Sequence, residues 1–225
     1  DLLSKGEINA TIQAKIDHFE QLKSILTDKK PGEKDHPDIL QVKGLIRRGE
    51  ASAGARFCGL NDDHIHFMDL PFYETGGTKK SPLSDADVNQ SAAFIKEIKP
   101  HQIFAAGDLA DPHGTHKVCL DVILMAMESL KNESWISDCW LWLYRGAWHE
   151  WPVEEIEMAV PLSPQELVRK RKAIFMHQSQ KDTPPFAGND PREFWQRAEE
   201  RNKETADTYH AMGFAEYEAM EAFRR

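Results

Sequence analysis

The sequence predicts an α/β sandwich built on a mostly parallel sheet. Three observations carry the prediction. Helix-like and strand-like segments alternate along most of the chain. The clearest strand, residues 102–106, runs through a turn straight into an amphipathic helix. Its apolar residues show no alternation, as expected of a strand covered on both faces. A length of 225 residues suits one large domain or two small ones. With no internal repeat and no low-complexity tract, a single domain over residues 1–225 is expected.

Each element has its own warrant. Residues 8–27 read as a helix because Ile12, Ile16, Phe19, Leu22 and Leu26 recur at helical spacing. The Lys29-Lys-Pro-Gly-Glu-Lys34 run breaks it. A second helix covers residues 37–57, with Ile39, Val42, Leu45 and Ile46 inward and Gly59 ending it. Residues 64–70 read as a strand. Residues 71–84 form a loop long enough to suggest function. A helix over 85–99 starts on Ser84 or Asp85, and the strand at 102–106 follows. The next helix carries Cys119, Val122, Ile123, Ala126, Met127 and Leu130 on one stripe. Residues 139–147, rich in Trp and Leu, and 156–161 complete a set of four strands. Ser163-Pro-Gln-Glu166 is a capping box with proline at the first helical position, opening a helix to about residue 180. A proline-containing loop spans 181–191, a charged helix 192–212 and a shorter helix 214–223.

Composition narrows the function. The formal net charge of −9 argues against a general nucleic-acid binder, which shows a basic face. Cys58, Cys119 and Cys139 form no Cys-x-x-Cys pair and no even-numbered framework, which points to a reducing cytosol. No apolar run has the length of a membrane span, and no signal peptide is visible. A cytoplasmic protein without nucleic-acid or membrane partners is the expectation. The chain opens on Asp1 rather than Met, as a fragment would.

Chemistry concentrates after the 102–106 strand, where Ala105-Ala-Gly-Asp-Leu-Ala-Asp-Pro-His113-Gly-Thr-His116 leads into a helix. In open α/β sheets, ligands collect at the carboxyl ends of strands. Histidines in the first turn of a helix share a side, and two imidazoles there suit metal binding or acid/base work. The alternative is that one histidine caps the helix and the other is exposed. Spacing with Asp108 and Asp111 nearby leaves the two in balance.

The His113-Gly-Thr-His116 segment resembles the second motif of the LmbE-like, or PIG-L-type, zinc de-N-acetylase family, with the outer histidines kept and the inner residues changed. Arg47-Arg-Gly-Glu50, followed by His66-Phe-Met-Asp-Leu70, resembles that family's Arg-x-x-Glu helix and the strand after it. Lys172-Ala-Ile-Phe-Met-His177-Gln-Ser-Gln180 is similar to its Lys…His-x-Ser-Gln helix. The match spans about residues 40–205. More narrowly, the 105–116 segment and Leu143-Tyr-Arg-Gly-Ala-Trp-His-Glu-Trp151 resemble the C-terminal part of two-domain bacterial proteins whose N-terminal part is a glucosamine-6-phosphate deaminase (isomerase) domain. No stretch of this chain reads as that deaminase.

The resemblance implies a Rossmann-like three-layer fold and a set of roles. His116 would be a zinc ligand. His113 would be catalytic, stabilising the oxyanion or protonating the leaving amine. Arg47 would face the substrate, although a solvated helix face is the alternative. In the intact protein, zinc-bound water would hydrolyse the N-acetyl group of an amino sugar or its phosphate. The family's first motif, His-Pro-Asp-Asp/Glu after the first strand, supplies further ligands and the general base, and it is absent here. His36-Pro37-Asp38 is no substitute, because no apolar strand precedes it and Ile39 stands where the second acid belongs. The N-terminal strand or strands and that motif are therefore expected to be missing. This chain alone is expected to hold zinc weakly or not at all and to be inactive, since catalytic zinc needs three protein ligands. The competing expectation is a non-catalytic module, for sugar-phosphate sensing or oligomerisation, attached to the deaminase domain. Either way the partner is an amino-sugar small molecule, and homo-oligomerisation runs through the parent protein.

Further residues carry weaker signals. Tyr144 and Arg145 end a strand and are candidates to contact sugar or phosphate, since arginine forks onto phosphate; an Arg–Glu pair is the alternative. Trp148 and Trp151 fit core packing better than sugar stacking, and His149 is a minor candidate. His177 and Gln180 read as structural. Asp69 could orient a site histidine. Residues 216–221 read as a solvated face, and Lys79-Lys80 as loop lysines within reach of phosphate or simply solvated.

Overall fold

The computed structural model describes residues 12–30, 33–73, 81–107, 114–146, 149–181 and 190–225. Contacts divide the chain into two compact units, one holding the described residues up to Ile46 and the other those from Arg47 on.

In the first unit, α1 (Ile12–Asp28) precedes α2 (Pro37–Phe57), whose later half belongs to the second unit. Leu22 and Ile39 are buried, whereas Ile16, Phe19 and Leu26 stay exposed, as do Leu45 and Ile46, which were expected inward. Asp35 is buried and accepts from Lys29 Nζ and Lys43 Nζ, each at 2.6 Å. These two bonds hold its carboxyl below the usual range.

The second unit contains α3 (Asp85–Ile98), β1 (Gln102–Ala106), α4 (Thr115–Ser129), β2 (Trp140–Tyr144), β3 (Met158–Leu162), α5 (Pro164–Phe175), α6 (Phe194–Ala211) and β4 (Ala219–Arg224). The four strands form one sheet in the order β1-β2-β4-β3. β1 and β2 are parallel, from Gln102 opposite Trp140 to Ala106 opposite Tyr144. β4 runs antiparallel to both β2 and β3. The α/β class is as expected, but the sheet is mixed rather than mostly parallel.

The reason lies in β4. Its Ala-Met-Glu-Ala composition favours helix, and a helix over 214–223 is the expectation it overturns. Gly213, at φ +92°, ends α6 and turns the chain back. Ala219, Met220 and Ala222 then become fully or nearly fully buried between two strand partners. Pairing and burial override the local propensity.

Residues 64–70 also depart from the strand expected there. Asp62–His64 is a turn of 3₁₀ helix. Asp69 takes a left-handed conformation at φ +49°, which a strand does not accommodate. The Met68 carbonyl accepts from the Gln90 side chain, and Asp69 pairs with Arg48. α5 ends at Phe175 rather than near 180, and a turn over 177–180 follows. β1 is not covered on both faces, since Phe104 is 48% exposed.

Two helix starts use the expected chemistry. Ser163 and Glu166 form the capping box of α5, with Pro164 at its first position. Ser84 and Asp87 do the same for α3. Asp87 is fully buried and also accepts from the Phe72 N–H at 2.8 Å. Burial alone would raise its pKa, but the bonds from Ser84 and Phe72 outweigh that and lower it. Val88 and Ile95 of α3 pack with Ala126 and Leu130, and Ile103 of β1 packs against this cluster.

Candidate functional site

A cleft of about 530 Å³ lies at the carboxyl end of β2. Three elements give it apolar walls: Ile174 on α5, Phe194 and Ala198 on α6, and Phe223 on β4. Tyr144, Arg145 and Gly146 enter from the end of β2. Lys170, Arg201 and Glu221 supply a braced ionic cluster.

α6 positions that cluster because its inward face is polar. Arg197, Arg201, Asn202 and Thr205 are buried at helical spacing. Small residues on β4 let the helix approach, and Asn202 Nδ2 donates to the Met220 carbonyl at 2.9 Å. Arg201 Nη2 donates to Glu221 at 2.8 Å, and its Nη1 donates to Glu150 at 3.0 Å. Lys170 Nζ donates to Glu221 and, at 2.7 Å, to Asn202 Oδ1.

Burial pushes the Glu221 carboxyl up, but Lys170 and Arg201 outweigh it and the net direction is down. Burial lowers the Lys170 pKa, with Glu221 opposing. Glu150 lacks such compensation. Burial raises its pKa despite Arg201, the Trp151 N–H and Thr205. Burial also raises the Tyr144 phenol, and Cys119 and Glu221 add to this.

Two contacts shape the rim. The Arg145 guanidinium lies 4.0 Å from the centroid of the Trp151 ring. That ring occupies the space beside Gly107, where an added Cβ would meet Trp151 Cζ2 at 2.8 Å and Leu143 Cβ at 2.9 Å. Gly107 N–H donates to the Tyr144 carbonyl at 2.8 Å, so the chain after β1 must pass this close. On another side, Glu50 on α2 holds the turn that supplies His177, Gln180 and Lys181. It accepts from Ser179 N–H at 2.6 Å and from Ser179 Oγ at 2.7 Å.

Of the residues expected at a site, Tyr144 and Arg145 line the cleft; His177 and Gln180, read as structural from the sequence, line it too. Arg47 is exposed and is not among the cleft residues. His116 is exposed in the first turn of α4, directly after Gly114 at φ +66°. His113, Asp108, Asp111, Trp148 and Lys79-Lys80 lie outside the described residues. Asp69 faces Arg48 rather than a histidine. Glu221, expected on a solvated face, is instead an ionic centre of the cleft. Trp151 is buried, as core packing requires. Lys170, Arg201 and Glu150 escaped the sequence reading. For Arg201 the signal was the charge-rich helix 192–212, whose scarcity of aliphatic residues leaves a polar face to turn inward; Lys170 and Glu150 carried no such signal.

Comparison with known proteins adds ancestry and fold. No family model matches the chain. Over 207 residues, 91% of its length, it is 55% identical to a glucosamine-6-phosphate deaminase-like protein of Bacteroides thetaiotaomicron. The chain is a homologue of part of that protein. It spans 31% of the relative's length. A conserved protein of Thermus thermophilus, 18% identical, superposes with a TM-score of 0.52 over 86% of this chain and 76% of its own. The 4-carboxy-2-hydroxymuconate hydratase of Pseudomonas putida, 14% identical, gives 0.52 over 80% and 70%. At these identities the likeness is one of fold.

Proposed function

We propose that this chain is an LmbE-like, amino-sugar-handling domain, and that the full-length protein uses it to remove the N-acetyl group of that sugar. The cleft at the carboxyl end of β2 carries the proposal. It sets Tyr144 and Arg145, with polar groups for sugar hydroxyls, against the apolar walls of Ile174, Phe194 and Phe223. The contact of Glu50 with Ser179 adds support, because it joins two of the segments in which the family resemblance resides. We read the architecture as a Rossmann-like sandwich whose sheet is mixed.

Zinc is implied by the resemblance, and the described residues do not fit it. Among them no three His, Cys, Asp or Glu side chains converge on a point that a metal ion could fill. His116 is exposed, and His113 lies outside the described residues. No step is derived through a metal. The work assigned to the described residues is binding and orientation: Tyr144 and Arg145 meet polar groups of the sugar, and the Lys170–Glu221–Arg201 cluster fixes the wall around it. This chain by itself is expected to bind zinc weakly and to release no acetate.

The second reading is a non-catalytic module that senses a sugar or assembles the parent protein. An acetate-release assay on the full-length protein with N-acetylated amino sugars separates the two. Acetate release dependent on His113 and His116 supports the first reading. Sugar binding or assembly without acetate supports the second. Stoichiometric zinc on the isolated chain would overturn the expectation of weak metal binding.

The proposed setting is the cytoplasm, with a homo-oligomeric parent and neither nucleic acid nor membrane as partner. The three free cysteines support a reducing compartment. Among the described residues no helix is long and apolar enough to cross a membrane. Sedimentation of the full-length protein tests the oligomer.

A further inference from the structure

We propose that the outer edge of β1 is a docking edge for a further strand, and that this strand comes from the part of the full-length protein outside this chain. Among the described residues, β1 and β3 border the sheet on its two sides. The two borders differ in chemistry. β3 carries Pro161, which cannot donate to a ladder, and Glu157 stands charged at its start, paired with Arg225. Proline and charge are the usual means of closing a sheet edge. Gln102-Ile-Phe-Ala-Ala106 has neither.

The hydrogen bonds to β2 identify the groups left over. Trp140 N–H donates to the His101 carbonyl at 2.8 Å, and Gly107 N–H donates to the Tyr144 carbonyl at 2.8 Å. In a parallel ladder alternate residues turn to the same neighbour, so His101, Ile103, Ala105 and Gly107 face β2. The N–H and C=O groups of Gln102, Phe104 and Ala106 point outward, and no described strand pairs with them. Parallel pairs such as β1 and β2 belong inside sheets, yet here one forms the border. Ile103 packs on the cluster of Val88, Ile95, Ala126 and Leu130, while Phe104, on the opposite face of the strand, is exposed. An added strand continues both faces, and apolar side chains suit it on each.

Residues 64–70 are not the occupant, although their sequence reads as a strand. Asp69 is left-handed, the Met68 carbonyl accepts from Gln90, and the His66 ring centroid lies 5.0 Å from that of Phe94 on α3. This chain spans 31% of the length of its Bacteroides relative, which leaves ample polypeptide to supply a strand. Pairing of this kind draws its affinity from the main chain, so it asks for an extended segment rather than a particular sequence.

The test is residue-resolved hydrogen exchange of the full-length protein, read by mass spectrometry at high and at low protein concentration. The outward amides of Gln102, Phe104 and Ala106 should exchange at least about 100-fold more slowly than in an unfolded peptide, as the inward amides of Ile103 and Ala105 do, at both concentrations. Outward amides that exchange at the unfolded rate while the inward ones stay protected overturn the docking edge. Protection that disappears on dilution assigns the edge to a second copy and overturns the proposed occupant. A photo-reactive benzophenone amino acid in place of Gln102 then locates the strand. At least part of its cross-links should reach a segment of the same polypeptide outside these 225 residues. Cross-links that all fall within them, or that join two polypeptides, overturn the occupant.

Discussion

Glu50 grips Ser179 with both carboxylate oxygens, taking its N–H at 2.6 Å and its hydroxyl at 2.7 Å across 129 positions of sequence. The bond ties the later half of α2 to the turn behind α5. Gly54, one turn beyond Glu50, leaves room for His177, whose Nε2 would lie 3.3 Å from a Cβ placed there. The turn that brings His177, Gln180 and Lys181 to the cleft thus rests on this helix.

Ser179→Ala removes the hydroxyl bond and keeps the N–H bond. It should cost about 1 kcal/mol in urea unfolding. Glu50→Ala removes both acceptors and should cost more, with weaker binding of whatever the cleft takes. Equal stability of both variants and the parent would show that the turn is held by other contacts.

Gly107→Ala should destabilise by roughly 1–3 kcal/mol, because the new methyl group would meet the Trp151 ring at 2.8 Å and Leu143 at 2.9 Å and force a neighbour to shift. Near-ultraviolet circular dichroism should change with it, since Trp151 must move. A variant as stable as the parent would mean that the ring is free to rotate away.

Glu221→Gln leaves Lys170 and Arg201 facing each other without their shared carboxylate. Removing one partner of a buried pair costs about 3 kcal/mol at the low end, apt here because Lys170 is partly exposed. Thermal unfolding reads the loss directly. A neutral outcome would indicate that water or a bound anion replaces the carboxylate.

Asp87 sets part of the acid limit of the fold. Its pKa is lowered in the folded state. Its contribution to stability is therefore complete above the usual carboxylate range and fades as pH falls through the lower folded value. Asp87→Asn should be clearly less stable than the parent at neutral pH, with the gap narrowing in acid. A gap independent of pH would show that the hydrogen bonds matter without the charge.

Much of the fold was legible because the local signals were strong. Residues 37–57 are helical as predicted, and the capping box at Ser163 forms as its spacing requires. Tyr144 and Arg145 were singled out by their place at a strand end, and they line the cleft. β4 was not legible, because Ala219, Met220 and Glu221 are helix formers that only a sheet partner turns into strand. The ionic cluster was hidden for a related reason. Lys170, Arg201 and Glu221 are far apart in sequence, and each alone resembles a solvated charge. Only the docking of α6 on β4 makes them neighbours.

The strand order has a consequence for how the chain acquires its shape. β3 has no sheet partner but β4 among the described residues, although β4 comes after two further helices. As the polypeptide leaves the ribosome, β1 and β2 can pair early, while β3 must wait unpaired until residues 219–224 arrive between it and β2. Folding of this unit is therefore closed by its latest strand, and a pause or break in synthesis before that strand would leave two open edges side by side, ready to pair with another copy.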